Sequence, residues 1–487
     1  MELIGALLVL SGFVCISALN WPRSIKAALI LVVFEGALRK WALPQASQLI
    51  YFLKDFVLLG AYIGYFFNIK NQPSLAKQGS VIKFLIFFVT IWCIFQALNP
   101  SLGSPIIGIF GIKNYLFYVP LMWILPSVFQ SEEELYKFLR SYLLLLIPVG
   151  LLAIAQFFSP PDSPLNVYAW ADKGPDVALS GDSKSVRVTG TFSYIAGYSV
   201  YLGACASLLL PILTLKQPPR WYWMSITEAL LLAITSFMTG ARGLLFSMVL
   251  LLVGYFGLQG VTHFSNSLRS LRKFLLPSLL ALIVVTVGFR PAVDAFWSRV
   301  STNRDLSGRI TESFTEPFEF FRYKQLDGYG AGATFQANPQ IRALFDLPPG
   351  ENIPVYYEPE MGRVALELGP LGFFAWYGLK AVLLFALWDV SRKLKRPFLR
   401  QLALSAFLIQ AITFNSLIVF NQTANLYYWF LNSFIFLLPQ LEQRANWQQY
   451  QQMLQVHAQS LYFPGSPHQH PLLPQRRDRP SGSNSPP

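Results

Sequence analysis

The sequence predicts an all-α, polytopic membrane helix bundle with about 13 transmembrane helices, and three observations support this fold class. Only 13% of the 487 residues are charged and 53% are hydrophobic, whereas ordinary soluble domains carry roughly 25% charged residues. Apolar runs of about 17 residues or more recur along the whole chain. The basic residues between these runs lie in short loops. A soluble multidomain protein is excluded, because it would need polar surface that this sequence lacks.

The chain is expected to divide into three parts. Residues 1–104 hold the first membrane helices, which begin at the N-terminus because "MELIGALLVLSGF" has no basic region of the kind that opens a signal peptide. Residues 105–440 hold the remaining helices and two long loops at 159–192 and 290–361. Residues 441–487 are rich in Gln and then in Pro and Ser, which predicts a disordered tail.

The basic loops orient the predicted helices. Short loops at 216–220, 268–273 and 391–400 are rich in Lys and Arg, so the positive-inside rule places them in the cytoplasm together with the C-terminal tail. The two long loops and the turn at 239–242 then face the other side. The net charge of +13 is spread over these loops and forms no clustered stripe, so we expect no nucleic-acid partner.

Basic residues also gather on the side predicted to be external, against the positive-inside pattern. Arg242 stands between two apolar runs in "FMTGARGLLF", where a guanidinium is costly to desolvate unless it snorkels or has a function. Arginine side chains match phosphate oxygens with a planar fork. The group therefore predicts a site for a phosphate-bearing ligand, although each member alone also fits simple helix anchoring. The other members are Arg39, Lys40, Arg187, Arg309 and Arg363.

Ionisable residues also occur inside the apolar runs. Glu35 precedes Arg39 by four residues, so the two share a helix face and are expected to pair. Asp55 is expected to pair with Lys54 or Arg39. Lys113 must snorkel, pair or line a cavity, and the sequence leaves its role open.

At this point several motifs resemble a known family. In chain order, "RVTGTFSY" with "GYSVYL", "TGARG", "GYGAGATF" and "ELGPLG" are similar to the O-antigen ligase and O-antigen polymerase family, which are polytopic C-type glycosyltransferases. The resemblance covers about residues 105–440, and "FEGALRKW" with "YFLKD" resembles exopolysaccharide-type members. It implies a multi-pass enzyme of the bacterial inner membrane that moves glycan from a polyprenyl diphosphate, at the outer face, to an acceptor glycan or glycolipid.

The resemblance also implies roles for the cations. Charge grows on the diphosphate as it leaves, and preorganised cations lower that barrier. We expect Arg242 and Arg187 to act there first and Arg309 and Arg363 next, with Arg39 and Lys40 as further diphosphate-binding residues. The family needs no nucleotide sugar, and the predicted outer side carries no DxD motif and no His/Cys cluster, so neither a cofactor nor a metal is proposed.

The chain departs from the family at the candidate base. Ligases of this family carry a histidine about nine residues before the acid of "E-x-G-x-x-G"; here that acid is Glu367, and Glu358 stands nine residues earlier. A carboxylate can act as a general base when its pKa is tuned, so Glu358 or Glu360 is the candidate, unless both only pair with Arg363 or Arg309. The missing histidine favours a polymerase, or a different acceptor, over a ligase to lipid A-core.

Two other functions stay open. A lipid or polysaccharide flippase would use Glu35, Asp55 and Lys113 along its path, but transporters usually show internal symmetry that this sequence lacks. A non-catalytic partner in polysaccharide assembly is the other alternative.

Overall fold

The computed structural model describes residues 2–67, 80–169, 177–179, 185–262, 283, 287–302 and 306–462. Within these ranges every regular element is a helix, and an isolated bridge pairs Leu179 with Val186. The all-α class is confirmed. The first helices are α1 Glu2–Leu19, α2 Trp21–Ala37 with a π-helical turn Leu38–Ala42, α3 Ser47–Phe67, α4 Ser80–Ala97, α5 Pro105–Leu116, α6 Leu121–Val128, α7 Glu132–Leu143, α8 Leu146–Phe158 and α9 Ile195–Thr214. They are followed by α10 Pro219–Met238, α11 Arg242–Thr262, α12 Arg290–Thr302, α13 Leu306–Lys324, α14 Asn338–Phe345, α15 Glu360–Lys393, α16 Pro397–Ile412, α17 Gln422–Asn432 and α18 Phe434–Tyr462.

Six helices in the described ranges are long and apolar enough to cross a membrane, or seven if the bent pair α5 and α6 forms one span. The protein is therefore a helical bundle with membrane-spanning capacity, and the predicted number of 13 spans is not confirmed. Two of the six join neighbouring elements: α3 with the short turn before it, and α7 with α8. The six are Pro44–Phe67, Ser80–Ala97, Glu132–Phe158, Ile195–Thr214, Arg242–Gln259 and Glu360–Lys393.

Several predicted spans break or end early. The run at 105–128 splits into α5 and α6, whose axes differ by 47°. The run at 402–420 is helical only to Ile412, and the predicted span at 274–289 lies largely outside the described residues. Hydropathy reports composition and not helix continuity, so it does not establish the number of spans.

Side-chain contacts sort the loops into two ends of the bundle. At one end, Thr214 Oγ1 donates to Gln401 Oε1 over 2.6 Å, and Arg396 Nη1 lies 2.7 Å from Glu132 Oε2. The first contact joins the helix ends beside the loops at 216–220 and 391–400, which were both predicted to be cytoplasmic, and the second brings Glu132 to the loop at 391–400. We call this the basic-loop end.

The opposite end, which we call the site end, unites the loops that were predicted to be external. Asn99 Nδ2 donates to Gly328 O over 3.1 Å, and Arg187 Nε donates to Thr239 O over 2.9 Å. The grouping agrees with the positive-inside rule. Which end faces outward stays a prediction.

The predicted loop at 290–361 contains the helices α12, α13 and α14. The glycine-rich stretch of this loop packs between neighbouring helices. Gly328, Gly330 and Gly332 have φ of 67°, 96° and 93°. A Cβ at Gly330 would lie 2.6 Å from the Leu102 side chain, so this path excludes larger residues. The Gly330 amide donates to Glu367 O over 3.0 Å. The stretch therefore packs against the neighbouring helices.

The chain divides into the units Met1–Glu442 and Gln443–Pro487, close to the predicted start of the tail. The tail was expected to be disordered from residue 441, but α18 remains helical to Tyr462. Residues 463–487 lie outside the described ranges.

Candidate functional site

The site begins where α2 meets the loop that precedes α9 (residues 185–194, the 185–194 loop). A Cβ added to Gly36 would lie only 2.2 Å from Ser193 N, so the backbone of α2 lies directly against this loop. The π-helical turn that follows α2 carries Arg39 and Lys40. A small residue at position 36 is therefore what brings both cations onto the loop.

Both cations bind the 185–194 loop. Arg39 Nη1 donates to Ser193 Oγ over 2.9 Å. Lys40 Nζ donates to Thr189 Oγ1 over 3.0 Å and to Gly190 O over 2.7 Å, and its side chain is buried. The described partners of the Lys40 amino group are thus a hydroxyl and a carbonyl, and burial lowers the pKa of Lys40 to about 7.

Arg187 and Arg242 lie in neighbouring segments of the same end. Arg187 belongs to the 185–194 loop, and its Nε donates to Thr239 O over 2.9 Å. The next residue, Val188, donates its amide to Met238 O over 3.2 Å. Met238 and Thr239 precede α11, whose first residue is Arg242. The structure therefore brings together the segments that carry four of the six predicted phosphate-binding cations.

Two buried ion pairs lie beside these residues. Glu35 Oε2 is 2.6 Å from Lys54 Nζ, and Asp55 Oδ2 is 2.8 Å from Lys113 Nζ. The predicted Glu35–Arg39 pair is present, but at 4.0 Å it is the weaker contact of Glu35. The prediction for Asp55 is wrong, because Lys54 turns to Glu35 and leaves Asp55 to Lys113. Lys113, whose role the sequence left open, pairs with Asp55 and so connects α5 to α3.

Among the described residues, Arg39, Lys54 and Lys113 form one cluster with Glu35 and Asp55, so cations outnumber carboxylates by three to two. The ring of Tyr51 lies at its centre, 4.9 Å from the Arg39 guanidinium, 4.9 Å from Lys54 Nζ and 5.8 Å from Lys113 Nζ. Buried charge of one sign is costly unless it is balanced, so an anionic ligand would complete the site. We define the cation cluster as Arg39, Lys54, Lys113, Glu35 and Asp55; Lys40 lies beside it on the 185–194 loop.

Arg363 belongs to a second, deeper cluster. Its Nε donates to Thr334 Oγ1 over 3.1 Å, and the guanidinium lies 3.7 Å from the centroid of Phe420. Glu367 Oε1 accepts from the amide of Thr334 over 2.8 Å and from its hydroxyl over 2.7 Å. Arg363 is only 2% exposed. It therefore ties the glycine-rich stretch to α15 and has no open face for a ligand in this conformation.

The start of α17 joins the two clusters. Phe420 lies beneath Arg363, and Gln422 Oε1 accepts from Lys54 Nζ over 3.0 Å. A displacement of this segment would therefore change contacts in both clusters.

Glu360, one of the two candidate bases, is fully buried and surrounded by donors. Its Oε2 accepts from Val419 N over 2.8 Å and from Ile418 N, and its Oε1 lies 3.3 Å from Lys380 Nζ. Both oxygens are occupied in this way, which suits the positioning of the 418–419 backbone better than proton transfer.

Glu358, the other candidate base, is exposed at the site end. It belongs to a group of carboxylates that includes Glu316 on α13. Burial, and then the negative charges of Glu312, Glu319 and Glu358, raise the pKa of Glu316 above its ordinary value. Of the two candidates, Glu358 is the one that an acceptor could reach.

Arg309 lies on α13, but its side chain is outside the described part of the structure. Sequence reasoning also missed three side chains. Tyr51 could have been found because it stands three residues before Lys54, on the same helix face. Glu316 could also have been found, because it stands four residues after Glu312 and three before Glu319 on one helix. Gln422 gave no comparable signal, because its partner Lys54 is 368 positions away.

No protein-family model matches this chain, and no curated protein matches it. The function must therefore be argued from the site itself.

Proposed function

We propose that this chain is a glycosyltransferase of the bacterial inner membrane. It transfers or polymerises polyprenyl-diphosphate-linked glycan repeats at the outer face of that membrane, in the assembly of a surface polysaccharide. The observation that carries the proposal is the cation cluster, where three cations meet two carboxylates at one end of an apolar helical bundle, with Lys40 on the adjoining loop. The site end is then external, and the basic-loop end and the C-terminal tail are cytoplasmic.

The excess of positive charge suits a diphosphate. Arg39 and Lys40 lie at the edge of the cluster beside the 185–194 loop, and Arg187 and Arg242 occupy adjoining segments. In the reaction, an acceptor hydroxyl oxygen bonds to the anomeric carbon of the donor glycan while the bond from that carbon to the diphosphate oxygen breaks. The electron pair remains on the diphosphate, where fixed cations stabilise it.

The proton of the acceptor hydroxyl needs a base. Glu358 is exposed at the site end, so we assign to its carboxylate the role of receiving the proton as the new glycosidic bond forms. Glu360 holds the backbone at 418–419 beside the same site. The acceptor is a second lipid-linked repeat in a polymerase and a glycolipid in a ligase, and the absence of the family histidine favours the polymerase.

The proposal is tested in a strain that lacks the chain and is complemented with variants. We expect Arg39→Gln to abolish long surface polysaccharide and to leave lipid-linked repeats accumulated on the outer side of the membrane. The matched control is Lys137→Gln, because the Lys137 side chain is 72% exposed and pairs with Glu133 on its own helix.

The outcomes separate the candidate functions. Loss of long chains with single repeats retained on the cell surface supports a polymerase, and loss of every chain attached to lipid A supports a ligase. Accumulation on the cytoplasmic side would instead indicate a flippase. Unchanged polysaccharide in the Arg39→Gln strain would refute the proposal.

A further inference from the structure

A seam runs between α3 and α5. Helix α3 packs against α1 and α2, and α5 packs against α4, so the two belong to different groups of helices. Side chains bridge the seam: Asp55 pairs with Lys113 over 2.8 Å, and the ring centroids of Phe52 and Phe110 are 6.1 Å apart. Such a boundary between two packed groups is where a bundle can admit a chain from the side.

An apolar track on α3 begins at Phe52, which contacts α5 across the seam. Phe52, Phe56, Leu59 and Ile63 follow one another at helical spacing, so they share one face. The two rings are partly exposed, and Leu59 and Ile63 are each 38% exposed. Across the seam, Ile109 on α5 is 63% exposed. In a membrane these side chains offer a hydrocarbon surface to a lipid chain.

The track begins at the cation cluster. Tyr51, the ring at the centre of the cluster, is the residue before Phe52, and Lys113 Nζ lies 5.2 Å from the Phe52 centroid. The cation cluster and the apolar track are therefore directly adjacent, because Lys113 lies near the rings of both Tyr51 and Phe52. From there the track runs along α3 towards the basic-loop end, in the direction that a lipid tail would take from an anionic head at the site end.

We infer that the α3–α5 seam holds the hydrocarbon chain of the polyprenyl diphosphate while the cation cluster holds its head. This inference rests on the proposed function and adds the route by which the substrate enters. A neutral bilayer lipid would fit the apolar track but would leave the excess positive charge unbalanced. A soluble sugar phosphate would balance the charge but would leave the track uncovered. A long-chain lipid diphosphate satisfies both parts.

The test measures binding to the purified full chain in nanodiscs with two probes. The first is a long-chain polyprenyl diphosphate, and the second is dimethylallyl diphosphate, which has the same head and almost no chain. We expect Phe56→Ala/Ile63→Ala to weaken binding of the long-chain probe about tenfold and to leave the short-chain probe unchanged. The matched control is Phe84→Ala/Ile91→Ala, with the same spacing on α4, where both side chains are more than half exposed.

A second variant guards against a folding defect. Ile109→Trp adds bulk at the mouth of the seam without emptying the core, and we expect it also to weaken binding of the long-chain probe alone. Equal losses in the seam and control pairs, or no loss in any seam variant, would overturn the inference. Arg39→Gln should weaken both probes. If it weakens neither, the proposed function fails, whatever the seam variants do.

Discussion

Lys54 shows how a single residue keeps a charge inside the bundle. Its Nζ lies 2.6 Å from Glu35 Oε2 and donates to Tyr51 O over 2.9 Å and to Gln422 Oε1 over 3.0 Å. These partners replace the water that the ammonium loses, which makes a buried lysine tolerable. Lys54 thereby connects α2, α3 and α17, so we expect its replacement to weaken the packing of all three helices.

We predict that Lys54→Met lowers the free energy of unfolding by about 3–5 kcal/mol, because it leaves the Glu35 carboxylate buried without its main partner. Thermal unfolding in detergent measures the effect. The double variant Lys54→Met/Glu35→Met should recover most of the loss. Lys137→Met, which breaks an exposed pair, should change stability by less than about 1 kcal/mol. Equal losses in Lys54→Met and the double variant would contradict this account.

Glu316 gives a pH-dependent prediction. Its pKa is raised in the folded state, so the fold favours the protonated form and loses stability as pH rises through that pKa. Glu316→Gln removes the charge, and we expect a higher Tm than the wild type at pH 7.5 and no difference at about pH 4. A Tm difference that stays constant between these pH values would show that the neighbouring carboxylates do not act on Glu316.

At the scale of elements, the contact of α2 with the 185–194 loop positions the two cations. The contact depends on Gly36, whose missing side chain lets Ser193 approach. Thr191 Oγ1 adds a hydrogen bond to Val33 O over 2.5 Å on the same helix. Arg39 and Lys40 therefore reach the loop as a consequence of backbone packing.

We predict that Gly36→Ala separates α2 from the loop, lowers the free energy of unfolding by about 1–3 kcal/mol and weakens binding of polyprenyl diphosphate. Gly378→Ala is the control, because a Cβ at Gly378 meets nothing within 4 Å. It should be neutral, or stabilising by about 1 kcal/mol through helix propensity. Thermal unfolding and lipid binding are measured on both variants, and equal behaviour would refute the packing argument.

The sequence predicted the helical class and the partition of loops between two ends, because long apolar runs and loop charge are local properties. It also selected Arg39, Lys40, Arg187 and Arg242, whose segments the structure brings together. It could not predict their partners. Lys54 and Gln422, for example, are separated by 368 positions and meet only through tertiary packing. The same limit explains the wrong partner for Asp55.

At the scale of the whole molecule, the two ends differ in the loops that they gather. If the site end is external, single cysteines there should react with a membrane-impermeant maleimide in intact cells. We expect Asn352→Cys to be labelled in intact cells and Lys216→Cys to be labelled only after permeabilisation, both in a Cys15→Ser background because Cys15 is exposed. Labelling in the reverse order would place the site on the cytoplasmic side and would exclude the proposed reaction.

The most direct measurement of the central claim is the affinity of the purified chain for a long-chain polyprenyl diphosphate, compared with the uncharged polyprenol of the same length. The wild type should bind the diphosphate at least about tenfold more tightly than the alcohol, and Arg39→Gln should lose most of this preference without changing the affinity for the alcohol. Equal affinities for the two lipids, or an undiminished preference in Arg39→Gln, would contradict the claim that the cation cluster binds a diphosphate.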